Sequence, residues 1–349
     1  MSEDSKVSDN HGFFQPLLAL RGAIGGVLMG LANLVPGISG GTMLLAAGIY
    51  PQFIRAIAEV TTFKFRPRSV LVLGSVVLAA GLAILLLAGS VKDLVVDHRW
   101  IMYSLFIGLT LGGVPVVWTM IRKSTPAVWG GVVVGFLAMA ALALLQQSGS
   151  SEVGGEASTP WMLGLAGMAG ASAMILPGVS GGYLLLVLGQ YIPILTGIDH
   201  FKEALKGGAW SDAISVGLSL GLPVGIGVLV GIVVVSNLLR FLLKRFEKAT
   251  LGVLLGLLLG AVVGLWPFQQ GEAPALGDTV KGQIVTEATL SDLDPEDYPT
   301  VFFSPTAKHV GLSVGLIFLG FLGTLAISRF GQDSEAVESD EQGQPYRTS

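Results

Sequence analysis

Long stretches without Asp, Glu, Lys or Arg constrain this chain more than any other feature of its sequence. A helix needs roughly 20 apolar residues to cross a bilayer core. Six stretches have that length and predict membrane helices at about 69–90, 101–121, 126–146, 213–238, 250–267 and 309–328. Two further segments, 14–58 and 161–198, have room for two helical pieces each, and a Pro-Gly pair interrupts both. The sequence therefore predicts an all-α polytopic membrane protein with six crossing helices and two broken or re-entrant hairpins.

The composition excludes several other classes of protein. Only 13% of the residues are charged, whereas an average soluble domain has about 25%. The chain has no Cys, which excludes a disulfide framework and a Cys-ligated metal site. Its net charge of -4 gives no reason to expect a nucleic-acid partner. The histidines do not cluster, and we expect no metal, no other cofactor and no catalytic residue.

Loop charges predict the orientation, because basic loops stay on the cytoplasmic side. Three basic loops are expected in the cytoplasm: 55–68, 122–125 and 240–248. Two acidic loops are expected outside: 147–160 and 272–308. These sides alternate along the six crossing helices only if each hairpin enters and leaves on the same side. The polar N-terminal tail, residues 1–13, has no basic signal region. We place it in the cytoplasm together with a disordered C-terminal tail, residues 329–349, and expect a multi-pass protein of the inner (cytoplasmic) membrane.

The two interrupted segments resemble each other. Residues 33–42 read N-L-V-P-G-I-S-G-G-T, and residues 174–183, located 141 positions later, read M-I-L-P-G-V-S-G-G-Y. Three predicted crossings follow each hairpin, and this odd number turns the second unit upside down. The sequence therefore predicts two inverted repeats, 14–146 and 161–328, joined by the external linker 147–160. Inverted repeats are common in secondary transporters.

The shared P-G-x-S-G-G motif predicts an anion site. Proline ends a helix, and glycine lets backbones approach closely. Ser39 and Ser180 stand where an N-cap belongs, and helix N-termini attract anions. Irregular backbone at membrane depth must line a cavity or be buried in protein. We therefore expect both motifs to meet near the midplane and to bind a phosphate through Asn33, Pro36, Gly37, Ser39, Gly40, Gly41, Thr42, Pro177, Gly178, Ser180, Gly181, Gly182 and Tyr183.

Close helix packing is the alternative explanation of these glycines. We expect it to hold for scattered glycines such as Gly81, Gly131 and Gly256, whereas the duplicated motif is more than packing needs. Asn33 has a similar alternative, a hydrogen bond to a neighbouring helix.

Arg21 is the remaining candidate for substrate binding. A cation that precedes a 33-residue uncharged run is a functional candidate by default. The alternative is a side chain that reaches the cytoplasmic interface. Met162 stands at the equivalent place in the second unit, so the two halves differ here.

The segment Gly30-Leu-Ala-Asn-Leu-Val-Pro-Gly-Ile-Ser-Gly-Gly-Thr42 resembles the signature of the bacterial and archaeal polyprenyl-phosphate transporters. The resemblance covers about residues 14–330. It implies a flippase that returns the lipid carrier undecaprenyl phosphate from the outer to the cytoplasmic leaflet for reuse in cell-envelope synthesis. It also implies that the partner is a lipid in the membrane.

Two other functions compete with this one. Integral undecaprenyl-pyrophosphate phosphatases carry a similar motif, but theirs continues with Arg after the Ser and is accompanied by glutamates. Gly40 and Gly181 stand at the Arg position here, and 14–54 and 161–198 contain no Asp or Glu. Because phosphoryl chemistry needs such charges, we expect a transporter rather than an enzyme. An ion-coupled transporter of a small soluble anion is the second alternative.

Overall fold

The fold is described from a computed structural model. It describes residues 7–34, 38–121, 123–147, 159–280, 283–291, 293 and 298–341. Six helices form the first half: α1 (Val7–Asn33), α2 (Gly40–Ala46), α3 (Tyr50–Thr61), α4 (Pro67–Asp97), α5 (Arg99–Ile121) and α6 (Pro126–Gln147). The second half contains α7 (Pro160–Ile175), α8 (Gly181–Val187), α9 (Tyr191–Lys206), α10 (Trp210–Val216), a π-helical turn (Gly217–Gly221), α11 (Leu222–Arg245), α12 (Glu247–Gly264), α13 (Glu287–Ser291) and α14 (Ala307–Glu341).

Seven helices in the described part of the chain are long and apolar enough to cross a membrane. Six of them overlap the six crossing segments expected from the sequence, and the seventh is Pro16–Asn33 in α1. Their outward faces are apolar, as on α4, where Leu85 and Leu86 are 80% and 75% exposed. Such faces are stable in lipid and unfavourable in water. The chain is therefore an all-α polytopic membrane protein.

Helix contacts follow the same scheme in both halves. The first helix of each hairpin packs on the helix that follows the hairpin, α1 on α4 and α7 on α11. The last two helices of each half pack across the molecule, α5 on α14 and α6 on α12. The core is centred on α2, α5 and α12, whose apolar residues are largely buried.

Each hairpin has one more break than the sequence predicted. One helical piece was expected before each Pro-Gly pair and one after it. The piece after the pair is itself divided, at Gly48 in the first hairpin and at Gly189 in the second. Both glycines have a positive φ, +67° and +66°, which L-residues rarely adopt. The turns have matching backbone hydrogen bonds, from Ile49 N to Leu44 O and from Gln190 N to Leu185 O. The 141-residue repeat thus appears in the local geometry of both hairpins.

Two segments differ from expectation. Helix α14 continues to Glu341, although the tail after Arg329 was expected to be disordered; residues 342–349 lie outside the described residues. Extending an existing helix needs no new nucleus, and the tail contains the good helix formers Ala, Gln and Glu. The loop 272–308 is not wholly irregular. It contains three short strands, and a fourth strand directly precedes it. β1 (Gln269–Gly271) pairs with β4 (Thr300–Phe302), and β2 (Thr279–Val280) pairs with β3 (Gln283–Ile284).

The α6–α12 contact is built on glycines. A Cβ on Gly131 would collide with the carbonyl oxygen of Ala249 and come within 2.9 Å of the backbone nitrogen of Val253. A Cβ on Gly256 would likewise collide with the carbonyl oxygen of Val132. Close packing is therefore confirmed for both glycines. Gly81 is different: no described heavy atom lies within 4 Å of the place its Cβ would take, so the packing prediction was wrong there.

The neighbouring glycines of α6 give a test of this contact. Gly131→Ala should lower the melting temperature in detergent, because overpacking costs about 1–3 kcal/mol. Gly130→Ala should leave it unchanged or raise it, since Gly130 faces open space and Ala is the better helix former by about 1 kcal/mol. Shifts of the same sign in both variants would contradict the packing role of Gly131.

Candidate functional site

The two motifs contact each other inside the protein. The Ser39 hydroxyl donates to the carbonyl oxygens of Leu176 at 2.9 Å and Ala173 at 3.4 Å. In return, the backbone N–H of Gly178 donates to Thr42 Oγ1 at 2.8 Å. The breaks of the two hairpins are therefore joined by hydrogen bonds, and the binding of an anion there stays a prediction.

Helix α7 explains why these hydrogen bonds form. The last four carbonyl groups of a helix have no partner within it, and α7 ends at Ile175 in the protein interior. Ser39 reaches the carbonyl of Ala173, and the Tyr50 hydroxyl donates to that of Ile175 at 2.8 Å. The first hairpin thus satisfies the C-terminal end of α7. Tyr50 is a further residue of this contact, and no local sequence pattern indicates its partner.

The predicted N-cap position of Ser39 is confirmed, but its side chain does not cap the helix. Ser39 occupies the N-cap position of α2 with extended backbone angles, but its side chain makes no capping hydrogen bond. The hydroxyl is engaged with the second hairpin instead, because the unpaired carbonyls of α7 lie within its reach.

Two glycines of the motifs are required by this contact. A Cβ on Gly41 would come within 3.1 Å of the Ile175 carbonyl oxygen. Gly178 has φ +84°, and its Cβ would come within 2.5 Å of the Leu257 carbonyl oxygen on α12. A side chain at Gly178 is therefore excluded by both the backbone angle and the collision, whereas one at Gly41 would require its neighbours to shift by a few tenths of an ångström.

The second motif is more open than the first. All residues of α2 are buried, whereas Gly181 and Gly182 at the start of α8 are half-buried. The nearest described atoms to a Cβ on Gly181 are 3.8 Å away. Ser180 is only 4% exposed, and within the described structure its hydroxyl makes no hydrogen bond. The equivalent serines therefore differ: Ser39 holds the two hairpins together, and the hydroxyl of Ser180 is available.

Arg21 lies away from this contact. Its guanidinium Nη2 donates to the Gly48 carbonyl oxygen at 3.1 Å, at the end of α2 opposite to Ser39. Asn33 lies at the end of α1 and is exposed, and its Oδ1 would be 3.3 Å from a Cβ on Gly40. The structure thus brings together Ser39, Gly41, Thr42 and residues 177–182, with Asn33 and Gly40 beside them. Pro36, Gly37 and the side chain of Tyr183 lie outside the described residues.

Arg99 is a candidate that sequence reasoning missed. It begins α5, and its Nε is buried without a hydrogen-bond partner in the described structure. One turn deeper, Tyr103 packs in an apolar cluster with Ile38 of the first motif and Met43 of α2. The only available signal was a cation at the start of an apolar run, and the loop 91–99 had balanced charges.

Comparisons with known proteins agree on the family. Residues 29–280 match the model of the undecaprenyl phosphate translocase-like family. The chain is 28% identical over 194 residues to a polyprenyl-phosphate transporter of Vibrio cholerae and 30% identical over 179 residues to one of Staphylococcus aureus. These segments cover 51% and 50% of this chain and 59% and 63% of the relatives' lengths. No solved structure matches. The resemblance of the first motif is thereby confirmed, and the chain belongs to the undecaprenyl phosphate translocase-like family, a family of transporters rather than enzymes.

Proposed function

We propose that this protein is a flippase that returns undecaprenyl phosphate across the cytoplasmic membrane for reuse in envelope synthesis. The two relatives are named for polyprenyl-phosphate transport. The observation in this chain that supports the proposal is the Ser180 hydroxyl, which makes no hydrogen bond within the described structure and lies beside the half-buried Gly181 and Gly182. A phosphate oxygen accepts hydrogen bonds from hydroxyl and backbone N–H groups, and charged acceptors strengthen such bonds.

The proposed site consists of Ser180, Gly181 and Gly182, with the first motif as its rigid support. In this proposal the isoprenoid tail stays in lipid while the headgroup enters the protein. Arg99 and Arg21 lie on opposite ends of the path and attract the phosphate from either side. The Nε of Arg99 is buried without a partner in the described structure, and an unpaired buried polar group carries a desolvation cost that an anionic ligand would relieve.

We further propose that the two halves are inverted repeats that exchange roles during transport. The helix contacts are alike in both halves, yet the first hairpin is tightly packed and the second is more open. Alternating access needs two such arrangements of similar energy. The basic loops favour an orientation with both termini in the cytoplasm.

Purified protein in proteoliposomes provides the test. We expect a fluorescent short-chain polyprenyl phosphate to change leaflets faster than in protein-free vesicles, and inorganic phosphate not to enter the vesicles. The matching pyrophosphate should release no inorganic phosphate. Uptake of inorganic phosphate without lipid movement would favour the small-anion transporter, and phosphate release would favour the phosphatase.

A further inference from the structure

A cavity lined in part by arginines lies at the surface on the basic side of the molecule. It has a volume of about 160 Å³ and is formed by one face of α3 and the start of α4. Three arginines line it: Arg55, Arg66 and Arg68. This cavity is separate from the contact between the two motifs.

A buried carboxylate organises the rim of the cavity. Glu59 is 5% exposed, and its Oε2 accepts a hydrogen bond of 2.6 Å from the Ser69 hydroxyl. Its Oε1 pairs with Arg66 Nη1 at 3.4 Å. Glu59 thereby joins α3 to the first turn of α4 and draws Arg66 to the cavity.

The charge around the cavity is positive. Three arginines and one glutamate line it, so the formal local charge is +2. A phosphate monoester carries about -1.5 to -2 at neutral pH, whereas a phosphodiester carries -1. Arginine is suited to this ligand because its planar fork binds phosphate oxygens in pairs.

The size of the cavity fits a headgroup and not a whole lipid. At about 30 Å³ for each water molecule, its volume corresponds to about five waters. A single phosphate group fits such a space, and the remainder of an amphiphile would have to lie outside it.

The adjacent loop offers a place for an acyl or isoprenoid chain. Phe63 and Phe65, between α3 and α4, are 85% and 63% exposed. Lys64 separates them and is exposed as well. Exposed aromatic rings among basic residues are typical of segments that lie in the membrane interface.

We propose that this cavity binds the phosphate of a lipid phosphomonoester at the membrane surface, while Phe63 and Phe65 insert beside its chain. The proposal adds a second phosphate site to the proposed transport function and rests on it only for its biological role. Val72 lines the cavity, and Ser75, one turn further along α4, lies against Gly22, the neighbour of Arg21. A headgroup that passes Arg21 towards the basic side would therefore meet this cavity next.

A local binding assay tests the proposal without any transport measurement. The chain has no native Cys, so Lys64→Cys can carry an environment-sensitive dye on the loop next to the cavity. Dioctanoyl phosphatidic acid, a phosphomonoester, should change the fluorescence saturably in the detergent-solubilised full chain. Dioctanoyl phosphatidylglycerol and inorganic phosphate should each bind at least tenfold more weakly, because phosphatidylglycerol is a diester with a charge of only -1 and inorganic phosphate has no acyl chains.

The double variant Arg55→Gln/Arg68→Gln should weaken phosphatidic acid binding at least tenfold. The matched control Lys244→Gln/Arg245→Gln removes the same charge from the last turn of α11 and should bind like the parent. Melting temperatures identify any misfolded variant, and Arg55→Gln alone then gives the same comparison, because Arg55 is exposed. Unchanged binding by the arginine variants would overturn the site. Equal binding of phosphatidylglycerol would overturn the monoester assignment, and equal binding of inorganic phosphate would overturn the lipid.

Discussion

Gly178→Ala should strongly destabilise the folded protein. A non-glycine residue at the observed φ of +84° costs about 1–3 kcal/mol. The added Cβ would also press on the backbone of Leu257, and overpacking of this kind costs about 1–3 kcal/mol again. Because proteins are stable by only about 5–15 kcal/mol, we expect a low yield of monodisperse protein and a strongly reduced melting temperature.

Gly208→Ala is the matched control for this variant. Gly208 has φ +71°, and no described atom lies within 4 Å of its Cβ position. It therefore measures the backbone strain without the collision. If both variants melted at the same temperature, the second motif would not be held against α12 as described.

The expected result links the motif to the core of the membrane domain. Leu257 belongs to α12, which packs on α6 and α5. The loop at Gly178 is therefore fixed on one side by α12 and on the other by Thr42 of the first motif. A phosphate site next to a loop held in this way is preorganised, which favours binding because little order has to be created.

The sequence predicts the membrane helices well for a physical reason. In lipid every backbone polar group must be satisfied within the protein, so a long uncharged run has little choice but to form a helix. The Pro-Gly pair also predicts where the helix is interrupted, because proline ends a helix. In the structure Pro177 and Gly178 form the turn between α7 and α8. Equivalent residues of the two hairpins also adopt the same local conformation, since Gly48 and Gly189 both form a left-handed turn.

Partners across the fold could not be predicted in this way. Ser39 and Ser180 stand in nearly identical sequences, but only Ser39 lies opposite the unpaired carbonyls of α7. The cavity between α3 and α4 is likewise formed by residues that only the fold brings together. Its arginines were recognised as charges that set the orientation, and only the fold shows that they surround one space with Glu59. Which groups meet is decided by packing between segments far apart in the chain.

The two serines should therefore respond in opposite ways to the same substitution. Ser180→Ala should leave the melting temperature close to that of the parent, because the hydroxyl makes no hydrogen bond within the described structure. The rate at which this variant moves polyprenyl phosphate across the membrane should fall, because it lacks the proposed hydrogen bond to the phosphate. A hydrogen bond to a charged group contributes about 1.5–3 kcal/mol. That range corresponds to about 10- to 150-fold in affinity.

Ser39→Ala should instead lower the melting temperature. The change removes the donor that reaches Leu176 and Ala173, and a buried polar group left unsatisfied costs about 1–3 kcal/mol. Melting temperature and lipid movement in proteoliposomes, measured on both variants, separate the two roles.

If Ser180→Ala transported the lipid at the parental rate, the phosphate would not bind at the second motif. If it lost stability as much as Ser39→Ala, both serines would be structural, and the close-packing explanation of the motif would be favoured. Loss of transport at full stability in Ser180→Ala alone would assign the phosphate contact to the second repeat, because the first repeat uses its serine to hold the hairpins together.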